Sequence, residues 1–379
     1  MSLFGKKRVN ENIKIDVVPP NMSNRLRQTL DLCWSSRINN GAGKNRYTVS
    51  ESNIYRIYTR SMRTANHAPG AVSAFLRELI RIDQPFEVQC AVSHDRHGRR
   101  VQKEDWLGAE LRARLGAFCY EHSGFARIEG DSLGRLNDLL QEGGHAEFWE
   151  MLSGSFFHFR PLRVRTPRGG QDCRLYLNVG RLYRATVMNW IIQNIFTIPT
   201  CTDTKVSGPG YFERADSIVL YFSNKAGRDL AIQRLEAYQQ IKNVTQGATA
   251  RYFNDGVPRM VRPVNDMRGI GMADEPVVDV HDTGKGALVL RNRSTSFGSY
   301  RAALIYHALL QTLRTRGTKR DFILRVAKYF EAGGVDISRP DQNANTEKLI
   351  AAVRTLEDRI KKGQKGKQLK VPEDALITL

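Results

Sequence analysis

The chain has 379 residues, of which 41% are hydrophobic and 26% are charged, a composition typical of folded globular proteins and sufficient for about two domains. No stretch approaches the roughly 18 consecutive apolar residues of a membrane-spanning helix, so such a span is excluded. The 58 basic residues exceed the 39 acidic ones and give a net charge of +19, which predicts an anionic partner.

The N-terminal segment 1–20 predicts a basic, flexible arm. Lys6 and Lys7 are not followed by an apolar stretch, so no secretory leader is indicated and a bacterial cytosolic location is expected. The five cysteines include no CxxC pair. They are therefore interpreted as small buried hydrophobic residues of a reducing compartment.

Residues 21–154 predict a helical region. Leu26, Leu30 and Trp34 recur at helical spacing, and Ser50 is placed to cap a second helix. The same patterns favour further helices at Ala71 to Ile82, Lys103 to His122 and Asp131 to Leu152, with a polar loop over Ala91 to Gln102.

Residues 155–332 predict an α+β domain, a small and mostly antiparallel sheet flanked by helices. Apolar and basic residues alternate over 157–165, and the turn over 166–170 would join them to Arg174–Val179 as a hairpin. The elements expected next are a helix at Leu182 to Phe196, a strand at Ser217 to Phe222, a helix at Ala226 to Ile241, an irregular loop at Arg259 to Pro276 and a helix from Ser296 to Arg316. Residues 333–379 predict a helix near Thr346 to Ile360 and a basic tail.

An arginine set is the first candidate for function. Seven arginines, no lysine and one acid, Asp172, lie between His158 and Arg184. Arg163 and Arg165 would share one face of a strand, because side chains alternate with a period of two. Planar guanidinium groups suit phosphate or carboxylate. The pattern fits an oxyanion site and a solvated sheet face equally well.

Lys205 is the second candidate. It ends a predicted strand before Gly208 and is followed by Arg214 and Asp216. A neighbouring arginine would lower the pKa of Lys205 by like-charge repulsion and make it a base near neutral pH. The alternative is an ordinary solvated lysine.

The third candidate begins the predicted helix at Ser296. Backbone N–H groups near Ser296 and Gly298, together with Arg301, would suit an anion, although capping by Ser296 explains the pattern equally well. His94 and His97 lie in a predicted loop, and His307 fits a packed or surface position, so no metal site is expected.

Four short motifs resemble the HopA family of type III secretion effectors and the HopA-like lyases of class V lanthipeptide biosynthesis. They are Arg174–Val179, Lys205–Pro209 with Asp216–Tyr221, Gly269–Pro276, and Ser296–Gly298 with Arg301. The resemblance spans about Phe156 to Leu313, less than half of the chain. It implies the same α+β fold and, for an effector, delivery from the bacterial cytosol into a host cell.

The order of these elements is also similar to that of phosphothreonine lyase effectors. That resemblance implies that Lys205 abstracts the α-proton, that Arg174 contacts phosphate, and that Tyr176 stands where those enzymes have a histidine acid. Arg214, Arg301, Arg163 and Arg165 would add phosphate contacts, with Asp216, Ser296 and Gly298 in support.

The sequence therefore favours a phosphoserine or phosphothreonine lyase that uses neither metal nor cofactor. Its partners would be a phosphorylated peptide or protein and either a kinase or a secretion chaperone, without a membrane. Two alternatives remain open. One is a non-catalytic HopA-like effector that binds proteins; the other is a nucleic-acid-binding protein, which the net charge favours but no recognisable module supports.

Overall fold

The structure is a computed structural model. It describes residues 19–36, 50–60, 86–91, 125–128, 156–161, 172–207, 214–240, 242–243, 247–282, 288–292, 296–351, 354–355 and 376–377. Within these ranges, no helix combines the length and the apolar character needed to cross a membrane.

An eight-stranded antiparallel sheet forms the centre of the fold. Its strands in chain order are β1 (Phe86–Ala91), β2 (Phe125–Ile128), β3 (Phe156–Pro161), β4 (Cys173–Leu177), β5 (Cys201–Ser207), β6 (Ile218–Phe222), β9 (Arg262–Pro263) and β10 (Ile270–Asp274). In space they follow the order β2-β1-β3-β5-β6-β4-β10-β9. The short strands β7 (Lys242–Asn243) and β8 (Gly247–Ala248) pair with each other, and β11 (Val278–Asp282), β12 (Leu288–Asn292) and β13 (Leu376–Ile377) form a third sheet.

Helices cover both faces of the central sheet. On one face, α3 (Arg184–Asn194) and α4 (Lys225–Gln240) share a core with Leu175 of β4 and Leu220 of β6. On the other, the core contains residues of α1 (Asn24–Ser36), α2 (Glu51–Thr59), α5 (Phe297–Arg314) and α6 (Lys319–Ala332). The result is a helix–sheet–helix arrangement with two hydrophobic cores.

Several predicted elements are confirmed with small shifts at their ends. The first two helices correspond to α1 and α2, and the Ser50 hydroxyl caps α2 by accepting a hydrogen bond from the Asn53 N–H. The predicted helices at 182–196, 226–241 and 296–316 correspond to α3, α4 and α5, and β6 matches its predicted strand. Residues 346–351 and 354–355 are helical, as expected.

Two strands lie between the helices that the sequence predicts within residues 21–154. Strand β1 carries Phe86, Val88 and Cys90 in alternation with polar residues, which is a strand pattern, and β2 pairs with it. Strand β1 also pairs along β3, so the sheet begins before residue 155. The predicted helices at 71–82, 103–122 and 131–152 lie outside the described residues.

The predicted hairpin between residues 157–165 and Arg174–Val179 is wrong. Strand β3 pairs with β1 and β5, whereas β4 pairs with β6 and β10, so two strands separate β3 from β4. A further error concerns residues 259–276, which contain β9 and β10 instead of one irregular loop. Each residue of β10 lies opposite one of β4, and this distant pairing leaves no local signal in the sequence.

Candidate active site

Two rows of side chains cross the face of the central sheet that lies towards α2 and α5. Register places Lys205, Val219, Tyr176 and Gly271 opposite one another in the first row. The second row contains Asp203, Tyr221, Arg174 and Ala273. Strand β3 continues the first row, since its backbone places His158 directly across from Lys205. The two candidates Lys205 and Arg174 therefore belong to one surface.

Arg174 is held by a buried ion pair. Its Nε donates to the Glu275 carboxylate, and its Nη1 donates to the Tyr176 hydroxyl at 3.1 Å. The guanidinium also lies 4.8 Å from the centre of the Tyr221 ring. Burial opposes the charge, but Glu275 outweighs it and holds the pKa of Arg174 well above its usual value. Arg174 is therefore a fixed cation on this face of the sheet.

A second pair lies beside Lys205. Arg214 donates from Nε and Nη2 to the two Asp216 oxygens, at 2.8 and 2.9 Å. Burial opposes ionisation of Asp216, yet the two-pronged contact with Arg214 keeps its pKa low. Arg184, which is 1% exposed, lies close enough for its charge to interact with Arg214 and Asp216.

Lys205 is half-buried between these pairs. Burial is the main cause that lowers its pKa, to about 7. Asp216 raises the pKa, whereas Arg214 and Arg174 lower it further. Arginine repulsion, the cause expected from the sequence, contributes to this shift but ranks behind desolvation. A lysine with this pKa is about half neutral at pH 7, and its neutral form can accept a proton.

This pKa gives a measurable expectation. After reductive methylation with labelled formaldehyde, the NMR signal of Lys205 should titrate near pH 7, because burial disfavours the ammonium form. The Lys205→Arg variant, which lacks the signal, provides the assignment. A Lys205 signal that titrates at the ordinary lysine value, about 10.4, would contradict the site described here.

Helix α2 brings two tyrosines that the sequence analysis missed. Half-buried Tyr55 lies near Arg214, whose guanidinium is 5.8 Å from the centre of its ring, and electrostatic interactions link Tyr55 to Asp216 and Arg174. Tyr58 is buried and lies near Tyr176. More than a hundred residues separate α2 from β4, β5 and β6. The only sequence signal for a role of α2 in the site was therefore its cluster of aromatic residues.

Arg301 lies near Tyr176 and packs on Phe297. It is 0% exposed, 3.6 Å above the centre of the Phe297 ring, and donates to the backbone carbonyls of Pro340 and Gln342. Its Nη1 has no hydrogen-bond partner among the described residues. Arg163 and Arg165, the remaining predicted phosphate contacts, lie outside the described residues.

Ser296 and Gly298 lie at the start of α5, where one caps the helix and the other contacts α2. The Ser296 hydroxyl caps α5 by accepting from the Ser299 N–H, as one of the two sequence interpretations expected. Gly298 packs against α2, since a Cβ at this position would lie 2.3 Å from Tyr58 and 2.9 Å from Tyr55. Gly298 therefore allows the two tyrosines to approach α5.

We expect Gly298→Ala to lower the free energy of unfolding by about 1–3 kcal/mol, because the new methyl group overpacks the contact with Tyr58. Alanine's higher helix propensity, worth about 1 kcal/mol, works against this loss. Urea denaturation measures the difference. Gly180→Ala is the control, since its Cβ would come no closer than 3.3 Å to a neighbour. Equal stability of the two variants would show that the α2 contact is loose.

Comparison with known protein families identifies the family of this chain. The model of the HopA1 effector protein family matches residues 149–341, just over half of the chain. The chain therefore belongs to the HopA1 effector protein family. The matched region includes every candidate named from the sequence, whereas α2 with Tyr55 and Tyr58 lies before it.

Two solved structures of effector proteins are similar to this chain. An effector protein from Pseudomonas syringae pv. tomato strain DC3000 has 17% identity and a TM-score of 0.50, covering 84% of this chain and 97% of the other. An effector protein from Pseudomonas syringae pv. syringae strain 61 has 17% identity and a TM-score of 0.48, with 85% and 96% covered. At this identity the first likeness establishes a shared fold. No curated protein sequence matches the chain.

Among the described residues, no group of three or more His, Cys, Asp or Glu side chains is arranged to hold a metal ion. Cys33, Cys173 and Cys201 are buried free thiols, as predicted. Among the described residues, the groups on the sheet face towards α2 and α5 include the Lys205 amine, the Arg174 and Arg214 guanidinium groups with their carboxylate partners, and tyrosine hydroxyls.

Proposed function

We propose that this HopA1-family protein is a lyase that removes phosphate from phosphoserine or phosphothreonine of a peptide or protein by β-elimination. The observation that carries the proposal is the setting of Lys205, a half-buried amine with a pKa of about 7 beside two arginines. Elimination needs a base for the α-proton and cations for the departing phosphate. Lys205 meets the first need, and Arg174 and Arg214 meet the second.

In the proposed step, the neutral Lys205 Nζ takes the proton from Cα of the phosphorylated residue. The electron pair of that C–H bond forms the Cα–Cβ double bond, and the Cβ–O bond breaks with its electrons on the phosphate oxygen. The products are dehydroalanine or dehydrobutyrine and phosphate. The step is redox-neutral, and Lys205 later returns its proton to solvent.

The experiment that tests this function is incubation of phosphoserine and phosphothreonine peptides with the protein, followed by mass spectrometry. Elimination should remove about 98 Da, the mass of phosphoric acid. Hydrolysis would instead remove about 80 Da and leave a hydroxyl group. If peptides with basic, acidic and apolar flanks all stay intact, the lyase proposal is wrong.

A tyrosine hydroxyl is proposed to protonate the departing phosphate. Tyr176 was the sequence candidate, but it is 1% exposed and its hydroxyl already accepts from Arg174. Tyr55 is half-buried at the same face, and burial raises its pKa, which keeps the hydroxyl protonated. We expect Tyr55→Phe to slow elimination by about 10²-fold, the lower end for a general acid. Tyr176→Phe should slow it less, as single-turnover rates would show; equal effects would contradict this ranking.

A second function, protein binding without catalysis, is favoured by one observation. Glu275 and Asp216 already neutralise Arg174 and Arg214, so these ion pairs also suit a purely structural role. Under this alternative, the protein would show no elimination and would form a stable complex with an acidic partner such as a chaperone. Pull-down at rising salt, with Lys205→Ala as an equally competent binder, distinguishes the two functions.

A further inference from the structure

Three arginines from separate parts of the chain meet at the segment 256–261. Arg25 of α1 donates from Nη1 to the Val261 carbonyl at 3.0 Å. Arg60, which follows α2, lies against Gly256, where a Cβ would come within 2.6 Å of its Nη1. Arg259 belongs to the segment itself, and its backbone N–H donates to the Tyr58 carbonyl at 3.0 Å.

The positive charge of this arginine cluster (Arg25, Arg60 and Arg259) is only partly balanced, since Asp341 interacts with Arg25 more weakly than Arg60 does. No carboxylate of the described residues forms an ion pair with any of the three, although such pairs hold Arg174, Arg214 and Arg228 elsewhere. The buried Nε of Arg259 has no hydrogen-bond partner in the described part of the chain. Burial first, and then the charge of Arg60, lower the pKa of both Arg25 and Arg259. These two guanidinium groups therefore both experience repulsion from Arg60.

We propose that the arginine cluster binds a phosphate group. A dianion would offset the repulsion around Arg60 and accept charge-assisted hydrogen bonds from planar guanidinium groups. Gly256 suits this role, because its φ of +80° and its lack of a side chain let Arg60 lie close to the backbone. The site shares no residue with the elimination machinery and does not depend on that function.

Isothermal titration of the full chain with pyrophosphate tests the proposal. Arg60→Gln and Arg259→Gln should each weaken binding by about tenfold or more, since each removes a charge-assisted contact. Arg27→Gln is the matched control on α1, an exposed arginine outside the cluster. Lys205→Ala reports on the candidate active site and should leave this affinity unchanged.

The outcomes separate clearly. Loss of binding in both cluster variants, with Arg27→Gln and Lys205→Ala unaffected, supports the site. Retained binding in Arg60→Gln and Arg259→Gln, or loss in Lys205→Ala alone, overturns it, because the anion would then sit elsewhere. Because Arg60 has a positive φ of 53°, melting curves of Arg60→Gln check its folding, and Arg259→Gln supplies the independent variant.

A second titration identifies the source of the phosphate. It uses a phosphoserine peptide in the Lys205→Ala background, which prevents elimination. A peptide affinity that falls when Arg60→Gln or Arg259→Gln is added assigns a protein-borne phosphate. A peptide affinity that neither change alters, with pyrophosphate binding still lost in both, assigns a free phosphorylated metabolite. Failure of both ligands to bind overturns the proposal while leaving the lyase test, which reads product mass, unaffected.

Discussion

Lys205→Ala should lower the elimination rate by about 10²–10⁴-fold, the contribution of a positioned general base. The amine is half-buried on the sheet face, and its pKa of about 7 supplies the neutral form near physiological pH. In wild type, the single-turnover rate should therefore rise as pH increases through about 7 and then level off, because deprotonation creates the base. The measurement is the rate of phosphopeptide loss in single-turnover reactions between pH 5.5 and 9.

The matched control for this variant is Lys225→Ala. Lys225 is also a lysine, but its side chain is 58% exposed and pairs with Asp274 at 3.0 Å. Its removal should leave elimination unchanged. A Lys205→Ala variant that eliminates as fast as wild type, with the same pH profile, would show that another group takes the proton.

Glu275→Gln should lower the free energy of unfolding by about 3–5 kcal/mol, the usual cost of breaking a buried ion pair from one side. The amide keeps the shape of the carboxylate but leaves the buried Arg174 without a counter-charge, since the side chains of the pair are only 5% and 1% exposed. Urea denaturation followed by circular dichroism measures the loss.

Asp31→Asn is the control for this substitution, because it changes an acid to an amide in an exposed pair. Asp31 and Lys319 lie 2.7 Å apart with side chains 45% and 48% exposed, so the expected loss is about 0–1 kcal/mol. If Glu275→Gln is no more costly than Asp31→Asn, then Arg174 is solvated and the fixed cation described here is absent.

Local signals were enough to predict the elements that are stabilised within their own segment. Ser50 and Ser296 cap α2 and α5 as their positions in the sequence indicated. The apolar run of β6 was also recognisable, because this central strand is buried on both faces. Pairing between distant segments was not predictable in this way. Strand β3 pairs with β1 and β5, and nothing in its own residues distinguishes those partners from β4.

The candidate site was predictable only in its separate parts. The sequence singled out Lys205, Arg174 and Arg214, and the sheet register brings Lys205 and Arg174 to one face. It did not indicate that Glu275 would neutralise Arg174, because the two lie 101 positions apart and meet only after β10 pairs with β4. Arg301 looked like an anion contact, yet the backbone carbonyls of Pro340 and Gln342 hold it.

Contributions from the N-terminal part of the chain were the hardest to foresee. The family model begins at residue 149, while Tyr55, Tyr58 and Arg60 come from α2 and the residue that follows it. The Thr59 carbonyl accepts from the Ala215 N–H at 3.0 Å, which attaches α2 beside the Arg214–Asp216 pair. Helix α2 thereby connects the candidate active site with the arginine cluster.

The most direct measurement uses a phosphoserine peptide with deuterium in place of the hydrogen on Cα. If Lys205 takes that atom, labelled and unlabelled peptides must give products of identical mass, since the deuterium leaves with the base, and Lys205→Ala must form little of either. A product that still carries the deuterium, or complete recovery of both peptides, would contradict the account.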